Sequence, residues 1–263
     1  MENSLNNSIY IADEDDITIN FKENKLSSAV IFVKDNIKAK IKLFDLSILK
    51  TLNISIGQNS KIDLRIVLND GEINTIVRGL VEKDSCLNVS LVDFNIGNIN
   101  FFSHIILNGD NSTSVWNLSS LSLNKDIKKY NISFNHIGEN TKSLMNNYGV
   151  CTGNSTLYFD GISHIEKMAI NSIANQKAKI IVFDEGCKAK ADPILKIDNR
   201  EVQANHAAAV GTLNDMHVFY LMSRGISEKE TRNLITLGYL KPIFVNYTAE
   251  EVLSLEALLE ERI

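Results

Sequence analysis

Over most of the chain, apolar residues recur every second position. From Ser60 to Leu68 the run Ser-Lys-Ile-Asp-Leu-Arg-Ile-Val-Leu alternates for most of its length, placing Ile62, Leu64, Ile66 and Leu68 on one face. Leu87–Val92 and Tyr130–Phe134 alternate in the same way. A period of two predicts strands with one buried face. Short strand-like runs of this kind fill about residues 8–203, and almost no helical period interrupts them. Asn69-Asp70-Gly71, Asn108-Gly109-Asp110 and Asp184-Glu185-Gly186 punctuate the runs and supply the positive-φ positions of turns. Many short strands at fairly even intervals predict a sandwich, a barrel or a β-solenoid. No repeat of fixed length stands out to choose among them.

After about residue 211 the period changes. Asn214 is placed to cap a helix carrying Val218, Phe219, Leu221 and Met222, with Gly225 to end it. Ser227-Glu228-Lys229-Glu230 reads as a capping box opening a helix through Leu234, Ile235 and Leu237, ended by Gly238. Thr248-Ala249-Glu250-Glu251 reads as a second box, opening a helix with Val252, Leu255, Leu258 and Leu259 on one stripe. The division predicted is a strand-rich segment at 1–45, a β core at 46–211 and a helical subdomain at 212–263. The helices are expected to cap the end of the β core.

Composition narrows the function. With 27 Lys+Arg against 32 Asp+Glu in 263 residues the net charge is −5, which argues against a general nucleic-acid binder. Only 2 prolines are present, so Asn, Asp and Gly must make most turns. The Asn abundance is read first as a mark of base composition in the genome. Met1-Glu2-Asn3-Ser4 shows no basic start of a secretory signal, and no apolar run approaches the roughly 20 residues of a membrane span. Cys86, Cys151 and Cys187 are odd in number and far apart, which suits neither a disulfide framework nor a zinc pair. The compartment predicted is a reducing cytoplasm.

Motifs of the common catalytic classes are missing: there is no GxSxG, Walker A loop, GxGxxG after a strand, or HExxH. The acidic run Asp13–Asp16 has Thr18 where a calcium loop needs glycine, and reads as a solvated face. The five histidines, His104, His136, His164, His206 and His217, form no helical metal-ligand pair. A carbohydrate-active β-helical enzyme and a β-solenoid binding module without chemistry both stay open on pattern alone.

The region from about Ile180 onward resembles a known family. Ile194-Leu195-Lys196-Ile197, then Val202-Gln203-Ala204-Asn205-His206-Ala207-Ala208-Ala209-Val210-Gly211, then Phe219-Tyr220-Leu221-Met222-Ser223-Arg224-Gly225-Ile226 and Gly238-Tyr239 are similar to blocks of the SufB/SufD iron–sulfur cluster assembly scaffolds, most of all the SufD branch. Weaker echoes lie at Asn135–Ser143 and Phe159-Asp160-Gly161. The resemblance implies a right-handed parallel β-helix core with a C-terminal helical subdomain. It implies a scaffold and not an enzyme, pairing with a SufB-type scaffold or with itself, binding a SufC-type ABC ATPase through the helical end, and holding a transient iron–sulfur cluster or iron at a subunit interface. Flavin association also comes with the resemblance, but no residue here places it.

Two SufB features are missing. Its cysteine and its glutamate fall near Ala178 and at Ala207, neither of which can ligate iron, whereas His206 matches the SufD histidine. His206 is therefore a candidate ligand of the assembling cluster. Cys187 is a second candidate, because thiolate suits iron–sulfur clusters and Lys188 and Lys190 are close by; it also reads as a small side chain filling a corner. Phe219, Tyr220 and Arg224 are candidates for the partner surface, aromatic and Arg residues being common anchors. Arg224 could equally serve the carbonyls of its own helix, and one of the two aromatics could be core.

Overall fold

The computed structural model describes residues 7–14, 16–244 and 246–263, apart from the side chains of Asn69, Asp70 and Asp215. The segment Met1–Ser4 and Asp15 of the acidic run lie outside the described residues. Successive strands alternate between two parallel sheets, so that the chain winds as a β-solenoid. One sheet stacks β1 (Ser8–Ile11), β3 (Ser28–Val33), β5 (Thr51–Ile56), β7 (Ile73–Val81), β9 (Ile99–Leu107), β11 (Ile127–His136), β13 (Thr156–Ile165) and β15 (Lys188–Ile197) in that order. The other stacks β2 (Asp16–Asn20), β4 (Lys38–Phe44), β6 (Lys61–Asp70), β8 (Cys86–Ile96), β10 (Thr113–Ser122), β12 (Lys142–Cys151), β14 (Ile173–Val182) and β16 (Gln203–Thr212). The strands of residues 8–44 are rungs of the same two sheets.

In-register parallel pairing turns the period-two pattern into columns. Ile11, Val33, Ile56, Val81, Leu107, His136 and Ile165 lie one above another on consecutive rungs, all buried. Each fully buried aliphatic side chain contributes about 1.5–3 kcal/mol, so an unbroken column is the main support of the fold. Of the polar side chains buried in such columns, two are basic. His136 is one, held between the hydroxyls of Thr141 and Ser143 at 2.8 Å each. Lys128 is the other: it stands between Ile99 and Leu157 yet is completely buried. Its ammonium reaches Asp93 at 2.9 Å and donates to the carbonyls of Asn95 and Leu121 at 2.7 and 2.6 Å. Asp93 also accepts from Tyr130 and Ser120, so both charges have hydrogen-bonded partners.

The turns carry a ladder of their own. Asn59, Asp84, Asn111, Asn140 and Asn171 all adopt φ between 54° and 60° at the same corner of successive rungs. Each donates its backbone N–H to a carbonyl of the next rung, of Lys83, Asp110, Glu139, Ile170 and Glu201 respectively. A buried hydroxyl follows each one: Ser60, Ser85, Ser112, Thr141, Ser172. Asn and Asp tolerate the left-handed region better than other side chains. Four of the chain's asparagines thus serve this corner ladder.

Three helices follow: α1 (Asp215–Ser223), α2 (Glu228–Leu240) and α3 (Ala249–Arg262). Asn214 caps the first, and both capping boxes form, Ser227 with Glu230 and Thr248 with Glu251. Gly238 does not end α2. The helix runs through it to Leu240, and Pro242 sits in the 3₁₀ turn that follows. The expected cap is also absent: the helices lie along the outer face of the even-numbered sheet. Leu240, Phe244, Leu255 and Leu259 bury against Val67, Val92, Phe94, Leu121, Leu123 and Val150, which point outward from their strands. Glu251 anchors α3 by pairing with Lys42 and, at 2.8 Å, with Arg65.

Candidate assembly surface at the open end of the solenoid

β15 and β16 are each the last strand of their sheet, so among the described residues each leaves one edge without a strand partner. One rung earlier, β13 buries every second residue, whereas β15 buries none and β16 is exposed along almost its whole length. Inward-facing positions continue the interior columns: Ala191 follows Phe159, Pro193 follows Gly161, Ala204 follows Ala174 and Ala208 follows Ala178. The end of the solenoid is thus a shallow apolar floor of small side chains between two free strand edges. Pro193 fits here because an edge strand tolerates a residue that cannot donate to a ladder.

His206 stands in this floor. It pairs in register with Gln176, in the column of Trp116 and Met145, and points inward while remaining exposed because no further rung covers it. Gln176 beneath it is buried and crosses to the opposite sheet, donating to Ser163 Oγ at 2.7 Å and to the carbonyl of Ile194 at 3.1 Å. The column therefore turns from apolar to polar over its last two rungs. An exposed imidazole among alanines has open space around its ring, and its neutral form can coordinate a borderline metal.

Cys187 is elsewhere. It precedes β15, at the corner where the chain passes from β14, whereas His206 lies just after the corner that opens β16. The two sit at opposite ends of the last rung, so they do not form one ligand set. Cys187 is half-buried beside Cys151. Burial pushes the Cys151 thiol up to about 12. Among the described residues, no three His, Cys, Asp or Glu side chains converge as a metal site.

The partner-surface candidates gather on α1. Phe219 is 68% exposed and Tyr220 56%, so neither is core, and Met216 beside them is 72% exposed. The Arg224 guanidinium lies 5.1 Å from the centre of the Tyr220 ring, making a cation–π contact at the rim of this patch. Sequence reasoning missed the connection between these helices and the last rung. Arg232 of α2 donates two hydrogen bonds of 3.1 Å to Asp184 Oδ1, in the loop that leads into β15, and its guanidinium lies over Phe183. These bonds, with those from Gly153 N and Thr152 Oγ1, hold the Asp184 carboxyl below its ordinary range against the opposing effect of burial, the largest single influence on it. No helix among the described residues is long and apolar enough to cross a membrane.

Comparison with known proteins agrees with this architecture. Residues 27–239 match the family model described as SUF system FeS cluster assembly, SufBD core domain. The iron-sulfur cluster assembly protein SufD of Bacillus subtilis (strain 168) is 35% identical over 108 residues, 41% of this chain and 25% of that protein. The SufBD family protein ycf24 of Porphyra purpurea is 26% identical over 154 residues, 59% of this chain and 32% of that protein. The ycf24 protein of Galdieria sulphuraria is 29% identical over 124 residues, 47% of this chain and 56% of that protein. The aligned part thus spans less than two thirds of each relative. With its core domain matched over most of its length, the chain belongs to the SufBD family of the SUF iron–sulfur cluster assembly system.

Proposed function

We propose that this chain is a SufD-like scaffold subunit that joins a SufB-type scaffold end to end through β15 and β16, and that a nascent iron–sulfur cluster or iron is its cargo at that junction. The observation that carries the reading is the uncovered last rung. Two free strand edges and a floor of small apolar residues are a template for strand addition, in which backbone hydrogen bonds give affinity. His206 projects into the same surface. One imidazole does not hold a cluster, so the remaining ligands, thiolate and carboxylate, are supplied by the partner. A second copy of this chain would present alanines at those positions, which favours the SufB-type partner over self-pairing. The helical flank with its exposed α1 patch takes the SufC-type ABC ATPase. The scaffold supplies geometry and ligands and catalyses no step of its own, and it works in the cytoplasm.

His206→Ala tests the ligand role. In a cell that depends on this system, cluster assembly should stop while the complex stays intact. The thermal midpoint should hardly move, because surface substitutions are usually within about 0.5 kcal/mol. Full complementation by the alanine variant removes His206 from the site.

A further inference from the structure

Two of the three cysteines meet away from the assembly surface. Cys151 closes β12 and is fully buried, with its sulfur 3.1 Å from Ser155 Oγ. Cys187 enters from the rung above, half-buried, and its thiol donates to the carbonyl of Gly153 at 3.7 Å. Both sulfurs thus border the same short turn, Gly153–Ser155, on adjacent rungs, and each thiol is an electrostatic neighbour of the other. The backbone fixes the approach: Lys188 N donates to Ser155 O at 2.9 Å, tying the start of β15 to the turn below. From outside, Asp184 secures the Cys187 loop by accepting from Thr152 Oγ1 at 2.6 Å, from Gly153 N at 2.7 Å and from Arg232 of α2. Each sulfur is thus hydrogen-bonded to this one turn.

We propose that Cys151 and Cys187 are a reversible dithiol–disulfide pair, a modification site that takes a peroxide as its oxidant and staples the last rung to the turn beneath it. Cys187 is the more accessible of the two, and it reacts first. Its thiol gives two electrons to hydrogen peroxide, the O–O bond breaks, and a sulfenic acid and one water form. The sulfur of Cys151 then attacks the sulfenic sulfur. The S–S bond forms, the S–O bond breaks, and the thiol proton leaves with the hydroxyl as a second water. Two thiols are oxidised and one peroxide is reduced to two waters. Cys151 is fully buried, so it does not compete for peroxide and serves as the resolving thiol. The bond joins the loop gripped by Arg232 to the body of the solenoid, so oxidation would stiffen the join between helices and last rung. This pairing needs no partner subunit or cluster, and stands apart from the assembly reading.

The test uses the full chain, treated with a few equivalents of hydrogen peroxide, alkylated under denaturing conditions and digested without reductant. The expected product is one linked peptide pair containing Cys151 and Cys187, lighter than the separate peptides by two hydrogens and released by dithiothreitol. Cys86, in β8 with its thiol donating to Asn88 Oδ1, should stay alkylated as the internal control. Free thiols should fall from 3 to one. In Cys151→Ala, with no resolving thiol, Cys187 should pass on to the sulfinic acid. If wild-type Cys187 goes to sulfinic acid while Cys151 remains alkylated, or if neither thiol is consumed and all three are alkylated, the pair is not a redox site.

Discussion

His136 occupies a position that Leu107 and Ile165 fill on the neighbouring rungs, and it is there as a neutral ring. Burial, with a smaller contribution from His164, lowers its pKa from the ordinary 6.5 to about 4. A depressed histidine pKa means that the folded state resists a proton which the unfolded chain accepts. The stabilisation is complete above pH 6.5 and is lost as pH falls toward 4, a change of about 3 kcal/mol by linkage. Urea titrations at pH 7.5 and pH 4.5 should therefore show a steeper loss of stability in the wild type than in His136→Leu. Equal slopes would mean that the ring is not held neutral. The alternation read over Tyr130–Phe134 stops short of His136; continued by one period it puts this ring on the inward face with Tyr130, Ile132 and Phe134. Lys128 was harder still. Its neighbour Lys129 faces solvent, and only the column of Ile99 and Leu157 reveals that the ammonium lies inside, paired with an aspartate 35 residues earlier.

Strands and capping boxes were legible because their signals are local. The rung corners were legible in principle and were missed. Asn59-Ser60, Asp84-Ser85, Asn111-Ser112, Asn140-Thr141 and Asn171-Ser172 are a repeat of two residues, one left-handed corner and one buried hydroxyl. What hid it was drift in the period. Ser8 pairs with Val30, Ile73 with Ile99, Ile127 with Thr156 and Thr156 with Lys188, offsets of 22, 26, 29 and 32. A search at fixed spacing fails where rungs lengthen steadily. Glycine shows the same dependence on the element around it. A Cβ on Gly109 would run into the backbone of Lys83 on the rung below, whereas one on Gly238, in the last turn of α2 and exposed, would meet nothing within 4 Å. Gly109→Ala should cost about 1–3 kcal/mol in overpacking. Gly238→Ala should stabilise by about 0.5–1 kcal/mol through helix propensity. Thermal midpoints that move in the same direction would refute the corner geometry.

At the scale of the molecule, what the alternation could not show was which outward faces stay wet. Val92, Phe94, Leu121 and Val150 break the polar-outward rule because α2 and α3 cover them, and this places the helical subdomain along the flank and leaves the last rung open. Removing residues 212–263 would strip that cover and expose an apolar stripe, so truncation is a poor probe of partner binding. Point changes on α1 are better. The helix is apolar on every side in sequence, and only the fold shows Phe219 and Tyr220 facing outward beside Arg224. On the proposed reading this patch anchors the ATPase. If each aromatic contributes the roughly 2 kcal/mol of an interface hot spot, replacing Phe219 alone with alanine should raise the dissociation constant about 30-fold. The double variant Phe219→Ala/Tyr220→Ala should abolish co-purification, with the thermal midpoint of the chain unchanged because both rings are exposed. Leu255→Ala is the contrast: buried under α3, it should lower stability by about 2–5 kcal/mol and reach the ATPase only through loss of folded chain. ATPase affinity undiminished in the double variant would move the docking surface off α1.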